Sequence, residues 1–98
     1  MTIIKNVVPD PADVLAAERA QMTASAMQVR LALEEVGRLQ EVEALVANGT
    51  VRVQIAWDKA TSFPRNSPMI AALAGSASPP FTDAELDTLF RRAMEITV

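Results

Sequence analysis

The chain has 98 residues, enough for one domain and too few for two independent cores, with nine basic residues against twelve acidic ones and a formal charge of −3. That balance argues against broad affinity for nucleic acid or anionic membrane, and the absence of cysteine removes disulfide and thiolate chemistry. Half of the residues are apolar, yet the rings come only from one Trp and three Phe, so the expected core is Ala, Val, Leu, Ile and Met on closely packed helices.

Residues 1–9 read as an extended N-terminal arm, because the β-branched and apolar side chains of Thr2, Ile3, Ile4, Val7 and Val8 run into Pro9-Asp10-Pro11. The stretch is too short and interrupted for a signal peptide, and no run approaches the ~20 apolar residues that span a bilayer, so cytoplasmic synthesis is expected. Residues 10–98 are expected to form a single helical domain. Asp10 is suited to cap the first helix, with Pro11 at its first position and Asp13 in its first turn.

From there to Val36 no Pro or Gly interrupts the chain, and Leu15, Met22, Val29 and Val36 recur every seven residues, with Ala12, Ala26 and Leu33 between them. The spacing predicts one long helix with a single apolar seam. That seam lies either on the domain's own core or against another chain, and Arg19 within it points to a partner carboxylate or to a seam open to solvent at that level. Gly37 marks a stop or kink, and Leu39, Val42, Leu45 and Val46 set the face of a shorter helix ending at Asn48-Gly49.

Residues 50–57 carry two readings. Val51, Val53, Ile55 and Trp57 alternate with Arg52, Gln54 and Ala56 as in a half-buried strand. A lone strand needs a partner, and the only candidate is the short arm, which tips the expectation toward helix. Residues 62–68 read as a loop whose Ser67-Pro68 opens a short apolar helix to Ala74, followed by a second loop at residues 75–80. Thr82-Asp83-Ala84-Glu85 is a capping box with Phe81 and Leu86 placed as a hydrophobic staple. It opens a last helix running to about Ile96 with Leu86, Leu89, Phe90, Ala93 and Ile96 inward. The expected fold is thus all-α or mostly so: a small bundle of four to five helices with an extended N-terminal arm and a possible short strand at 50–57.

With no His, Cys or Tyr, acid, base or nucleophile roles fall to carboxylates, Ser, Thr, Lys5 and Lys59. Lys59 and Ser62 lie one helical turn apart, a spacing that arises constantly by chance. The pairs Glu34 with Glu35 and Glu41 with Glu43 point to different sides of a helix. The series Asp83, Glu85 and Asp87 places Asp83 and Asp87 on one face but lacks the Gly and the distal Glu of a calcium loop. Gly37, Gly49 and Gly75 are isolated, so there is no phosphate loop. No enzyme activity, cofactor or metal is expected, and neither nucleic acid nor membrane is an expected partner. Trp57, Phe63 and Arg65 fall within nine residues, a grouping that suits a protein contact as readily as a core built on its largest ring. The candidate interaction residues are therefore Leu15, Arg19, Met22 and Val29 on the seam, and Trp57, Phe63 and Arg65 around the loop.

Three stretches of the C-terminal half carry a resemblance: Val53 to Ala60 with its Trp57-Asp58 pair, Arg65-Asn66-Ser67-Pro68 opening the helix to Leu73, and Phe81 to Phe90 with Thr82-Asp83 and Leu86-Asp87-Thr88-Leu89-Phe90. Together they resemble small helical proteins encoded in tail-gene modules of tailed bacteriophages and prophages, from which the chain departs in its Ser- and Pro-rich link at residues 75–80. The resemblance implies a noncatalytic structural or assembly protein of a phage tail or virion, and it draws residues 50–60 toward helix. Its partners would be other phage tail proteins, with homo-oligomers possible in such an assembly. It would sit in the host cytoplasm during synthesis and in the virion if it is a tail component. The alternative expectation is a small phage-encoded regulator or inhibitor that binds one host protein.

Overall fold

The computed structural model describes residues 10–97, so the arm expected at 1–9 lies outside the described residues. Among these, the chain forms six helices and one small sheet, in the order α1 (Pro11–Gln21), β1 (Thr23–Ser25), α2 (Ala26–Glu35), α3 (Leu39–Ala47), α4 (Val51–Lys59), β2 (Ser62–Pro64), α5 (Pro68–Ser76) and α6 (Asp83–Glu95). The fold is mostly helical, as expected, with one helix more than the expected four to five.

The extra helix corrects the expectation of a single long helix over residues 11–36. The chain leaves α1 at Met22, whose backbone is extended, and β1 pairs antiparallel with β2, Ala24 opposite Phe63. Hydrogen bonds that a continuous helix would have made are made across the pair instead. Arg65 N–H donates to the Met22 carbonyl and Ala26 N–H to the Thr61 carbonyl, both at 2.9 Å. A new helix then starts from its own capping box: Ser25 Oγ accepts from Gln28 N–H at 3.0 Å, and Gln28 Oε1 accepts from Ser25 N–H at 2.8 Å. The seam is thereby divided. Met22 and Val29 are buried, Leu15 is half-buried, and Val36 is 56% exposed.

Of the two readings of residues 50–57 the helix, toward which the expectation tipped, is the one found: α4 spans Val51–Lys59, with Thr50 Oγ1 capping Val53 N–H at 3.2 Å, and the alternative strand is absent there. The helix turns Val53 and Trp57 inward and leaves Val51 and Ile55 in solvent. The strands among the described residues lie at 23–25 and 62–64 instead, the latter at the start of the segment expected as loop. α5 runs two residues beyond the expected end, taking in Gly75, and Ser67 stands at its N-cap position without a capping hydrogen bond.

Gly37 does stop α2. Its φ of +74° is the left-handed conformation, and the Gly37 and Arg38 N–H groups donate to the Glu34 and Leu33 carbonyls at 3.0 and 2.9 Å, the paired bonds of a Schellman end. A Cβ at Gly37 would meet nothing within 4 Å, so Gly37→Ala is expected to cost only the backbone strain. That is about 1 kcal/mol in a urea melt, and a loss of several kcal/mol would show that the turn is packed.

The core is assembled on α2 and α6, the most extensively packed helix pair. Ala32 and Ala93 are completely buried, which lets the helices approach closely, and Val29, Leu33, Leu86, Leu89 and Phe90 fill the space around them. Val42 and Val46 of α3 and Ile70, Leu73 and Ala74 of α5 close the opposite side. In the middle the Trp57 and Phe63 rings stack, 5.1 Å between centroids and 21° apart.

Candidate functional site

Two arrangements go beyond ordinary packing. The first is an ion network where α1, β2 and α6 meet. Asp87, on the second turn of α6, is buried, and its carboxylate accepts from Arg19 Nε and Nη2 at 2.9 and 2.8 Å and from Arg65 Nε at 3.0 Å. Arg65 Nη2 reaches the Asp83 carbonyl and carboxylate at 3.3 and 3.4 Å. Hydrogen bonding by Arg19, and then the charge of Arg65, hold the Asp87 carboxyl below the ordinary Asp range against the opposing effect of burial. A carboxylate gripped by two guanidiniums and held below its ordinary range is a fastener and a weak base.

Here the sequence-derived candidates find their places. Of the two readings of Arg19, a partner carboxylate or a seam open to solvent, both hold in part: its carboxylate is Asp87 of its own chain and the side chain keeps partial exposure. Arg19 and Arg65 converge on that one group, and Trp57 and Phe63 converge in the core, where Trp57 Nε1 donates to Glu43 at 3.0 Å and Arg30 lies 5.0 Å above the indole. Trp57, Phe63 and Arg65 are all buried, so of the two readings of this grouping the fold takes the core one: β2 carries the loop inward against β1. Met22 and Val29 are likewise core, so of the seam candidates only Leu15 and Arg19 retain partial exposure. Lys59 and Ser62 are both exposed, and no hydrogen bond joins them.

The second arrangement is an open groove of about 630 Å³ between the C-terminal half of α2 and the N-terminal half of α6. Its floor is apolar, formed by Ala32, Val36, Phe81, Ala84 and Leu89, and its rim carries Arg38, Glu85, Thr88 and Arg92. Each rim charge is already satisfied. Arg38 stacks over the Phe81 ring at 3.9 Å and pairs with Glu41 at 2.9 Å, and Glu41 also accepts from Ser78 N–H at 2.7 Å. Those bonds anchor the 77–81 link, and with it Phe81, against α3. Arg92 grips Glu35 through two bonds of 2.7 and 2.8 Å, tying α6 to α2 at the far end, while Glu85 closes the capping box on Thr82 N–H at 2.8 Å. These contacts hold the Glu35, Glu41 and Glu85 carboxyls below their usual range, through Arg92, Arg38 and the Thr82 N–H respectively.

The groove thus offers a pre-formed apolar recess with an internally balanced rim, which suits aliphatic or aromatic side chains from a partner more than a charged small molecule. Among the described residues there is no cluster of metal-ligating side chains, and no helix is long and apolar enough to cross a membrane. Sequence reasoning missed the groove because it joins Val36, taken as the end of a seam, to Phe81, taken only as a staple. The staple fixes Phe81 only against Leu86 of its own helix, and the contact that turns the ring into groove floor, Arg38 stacked on it, has no local signal. No family model, curated protein or solved structure matches the chain.

Proposed function

We propose that the protein is a noncatalytic contact module, serving as a structural or assembly component of a phage tail and engaging another tail protein through the groove between α2 and α6. The observation that carries this reading is the groove's apolar floor beneath a rim whose charges are satisfied within the chain. A partner's apolar side chains can enter without stranding a buried charge. The tail setting is drawn from the resemblance of residues 53–60, 65–73 and 81–90.

Val36 and Ala84 are both exposed and line the groove, so Val36→Asp and Ala84→Arg place charge on the binding surface while leaving the core untouched. Their incorporation into purified tails is expected to fall about tenfold or more, with the circular-dichroism melt shifted by no more than a few degrees. Absence of the wild-type chain from particles, together with normal tail formation after deletion of its gene, would overturn the proposal. Recovery of one host protein as the main prey, lost on Val36→Asp, would transfer the groove to the host-directed regulator.

A further inference from the structure

Two helices present faces that the domain does not use, and their charges are opposite. No residue of α1 is buried, an unusual state for an 11-residue helix, since isolated helices of that length are marginal in water. It is fastened to the domain near its C-terminal end, by Arg19 on Asp87 and by Glu18 on Arg91 at 2.6 Å. Its outward side carries Ala12, Asp13, Ala16, Ala17 and Ala20, with Val14 50% exposed. The Ala side chains allow a second helix to approach closely, and with Arg19 turned onto Asp87 the remaining charge is acidic.

α4 is the counterpart. Trp57 faces the core, and the opposite side shows Arg52, Ile55, Ala56 and Lys59 at the spacing of one helical stripe, next to Val51 and the exposed Asp58, so the two cations outweigh one carboxylate there. Val51 is 69% and Ile55 56% exposed, making this the most prominent apolar pair on the described surface. Every other basic side chain among the described residues is engaged within the chain: Arg19, Arg38, Arg65, Arg91 and Arg92 in ion pairs, and Arg30 on Trp57. Arg52 and Lys59 are the two with no such partner. In a protein of net charge −3, the two uncommitted cations among the described residues flank the most exposed aliphatic pair.

We infer that α1 of one copy docks on α4 of a second copy, Val14 and the Ala face against Val51 and Ile55, with Asp10 and Asp13 toward Arg52 and Lys59. The two surfaces are different, so the contact either closes as a reciprocal pair or continues head to tail into a ring or filament. One such contact is small, which makes each pairwise step weak and salt-sensitive. The inference is independent of the groove and of the tail setting, because it concerns other residues and needs no other protein.

The test is solution mass by sedimentation on the full chain. For wild type, mass should rise with concentration at low salt and fall back when salt is added. Asp13→Lys/Ala17→Lys makes α1 basic, and Arg52→Glu/Lys59→Glu makes the α4 stripe acidic. Each variant alone opposes like charges and should associate about tenfold more weakly than wild type, while an equal mixture restores opposite charges and should associate nearly as wild type does. All four positions are exposed, and circular dichroism verifies the fold of each variant. A wild-type mass that stays monomeric at low salt would overturn the inference, as would variants that associate as well as wild type or a mixture that fails to recover.

Discussion

Trp57→Ala is expected to cost about 4 kcal/mol, the largest single loss in the molecule. The indole is 1% exposed and stacked on Phe63, Arg30 covers it and donates to its backbone carbonyl at 2.6 Å, and few other rings exist to close over the space. A small domain holds on the order of 5–15 kcal/mol in total, so the midpoint of a thermal melt should fall by about 20 °C, read by circular dichroism since the fluorophore is lost. Trp57→Phe keeps a ring against Phe63 and gives up the bond to Glu43. That carboxylate is exposed and can turn to water, so the phenylalanine variant should cost much less than the alanine one. A loss below about 1 kcal/mol for Trp57→Ala would mean that the indole is not the packing centre of the core.

The features legible in the sequence are those decided within a few residues. Asp10-Pro11, Gly37, Asn48-Gly49, Ser67-Pro68 and the Thr82 capping box each place a helix end through local geometry, and the structure follows all of them. The break at Met22 was hidden because the seven-residue apolar repeat runs through it and no Pro or Gly marks it. What ends α1 is pairing with residues 62–64, a contact made across the fold, and the one local sign was Ser25 with Gln28. The alternation from Val51 to Trp57 pulled toward a strand, and only the want of a pairing partner tipped the expectation to the helix that forms; on that helix it leaves two aliphatic side chains outside, a cost the domain's own core does not explain. The site was less legible than the fold. Arg19 demanded a carboxylate and Asp87 lay on a plausible face, but the two are 68 positions apart in the chain, and only the packing of α1 on α6 brings them together.

That junction yields the second large effect. Asp87→Asn is expected to cost about 3 kcal/mol, because it removes the charge that compensates Arg65, whose side chain is only 6% exposed, and leaves that guanidinium buried beside a neutral amide. Converting Arg19 to Met, Arg65 to Met and Asp87 to Leu together should recover most of the loss, since apolar groups of similar volume need no compensation. Arg19→Met alone separates fastening from folding: it should speed amide exchange across Pro11–Gln21 while the core helices stay protected, because α1 has no buried residue and keeps only the exposed Glu18–Arg91 pair as a second ionic fastening. The pH dependence carries the same signature. Asp87 titrates below its unfolded value, as do Glu35, Glu41 and Glu85. Their stabilisation is therefore complete above the unfolded carboxylate range near about 4 and is lost as pH falls through the lower folded values. The wild-type melting temperature should hold steady from neutrality to about pH 5 and drop below about pH 4, and Asp87→Asn, with one fewer depressed carboxylate, should start lower and fall less steeply. An acid limb of unchanged slope in that variant would mean that Asp87 is not held ionised by the two arginines.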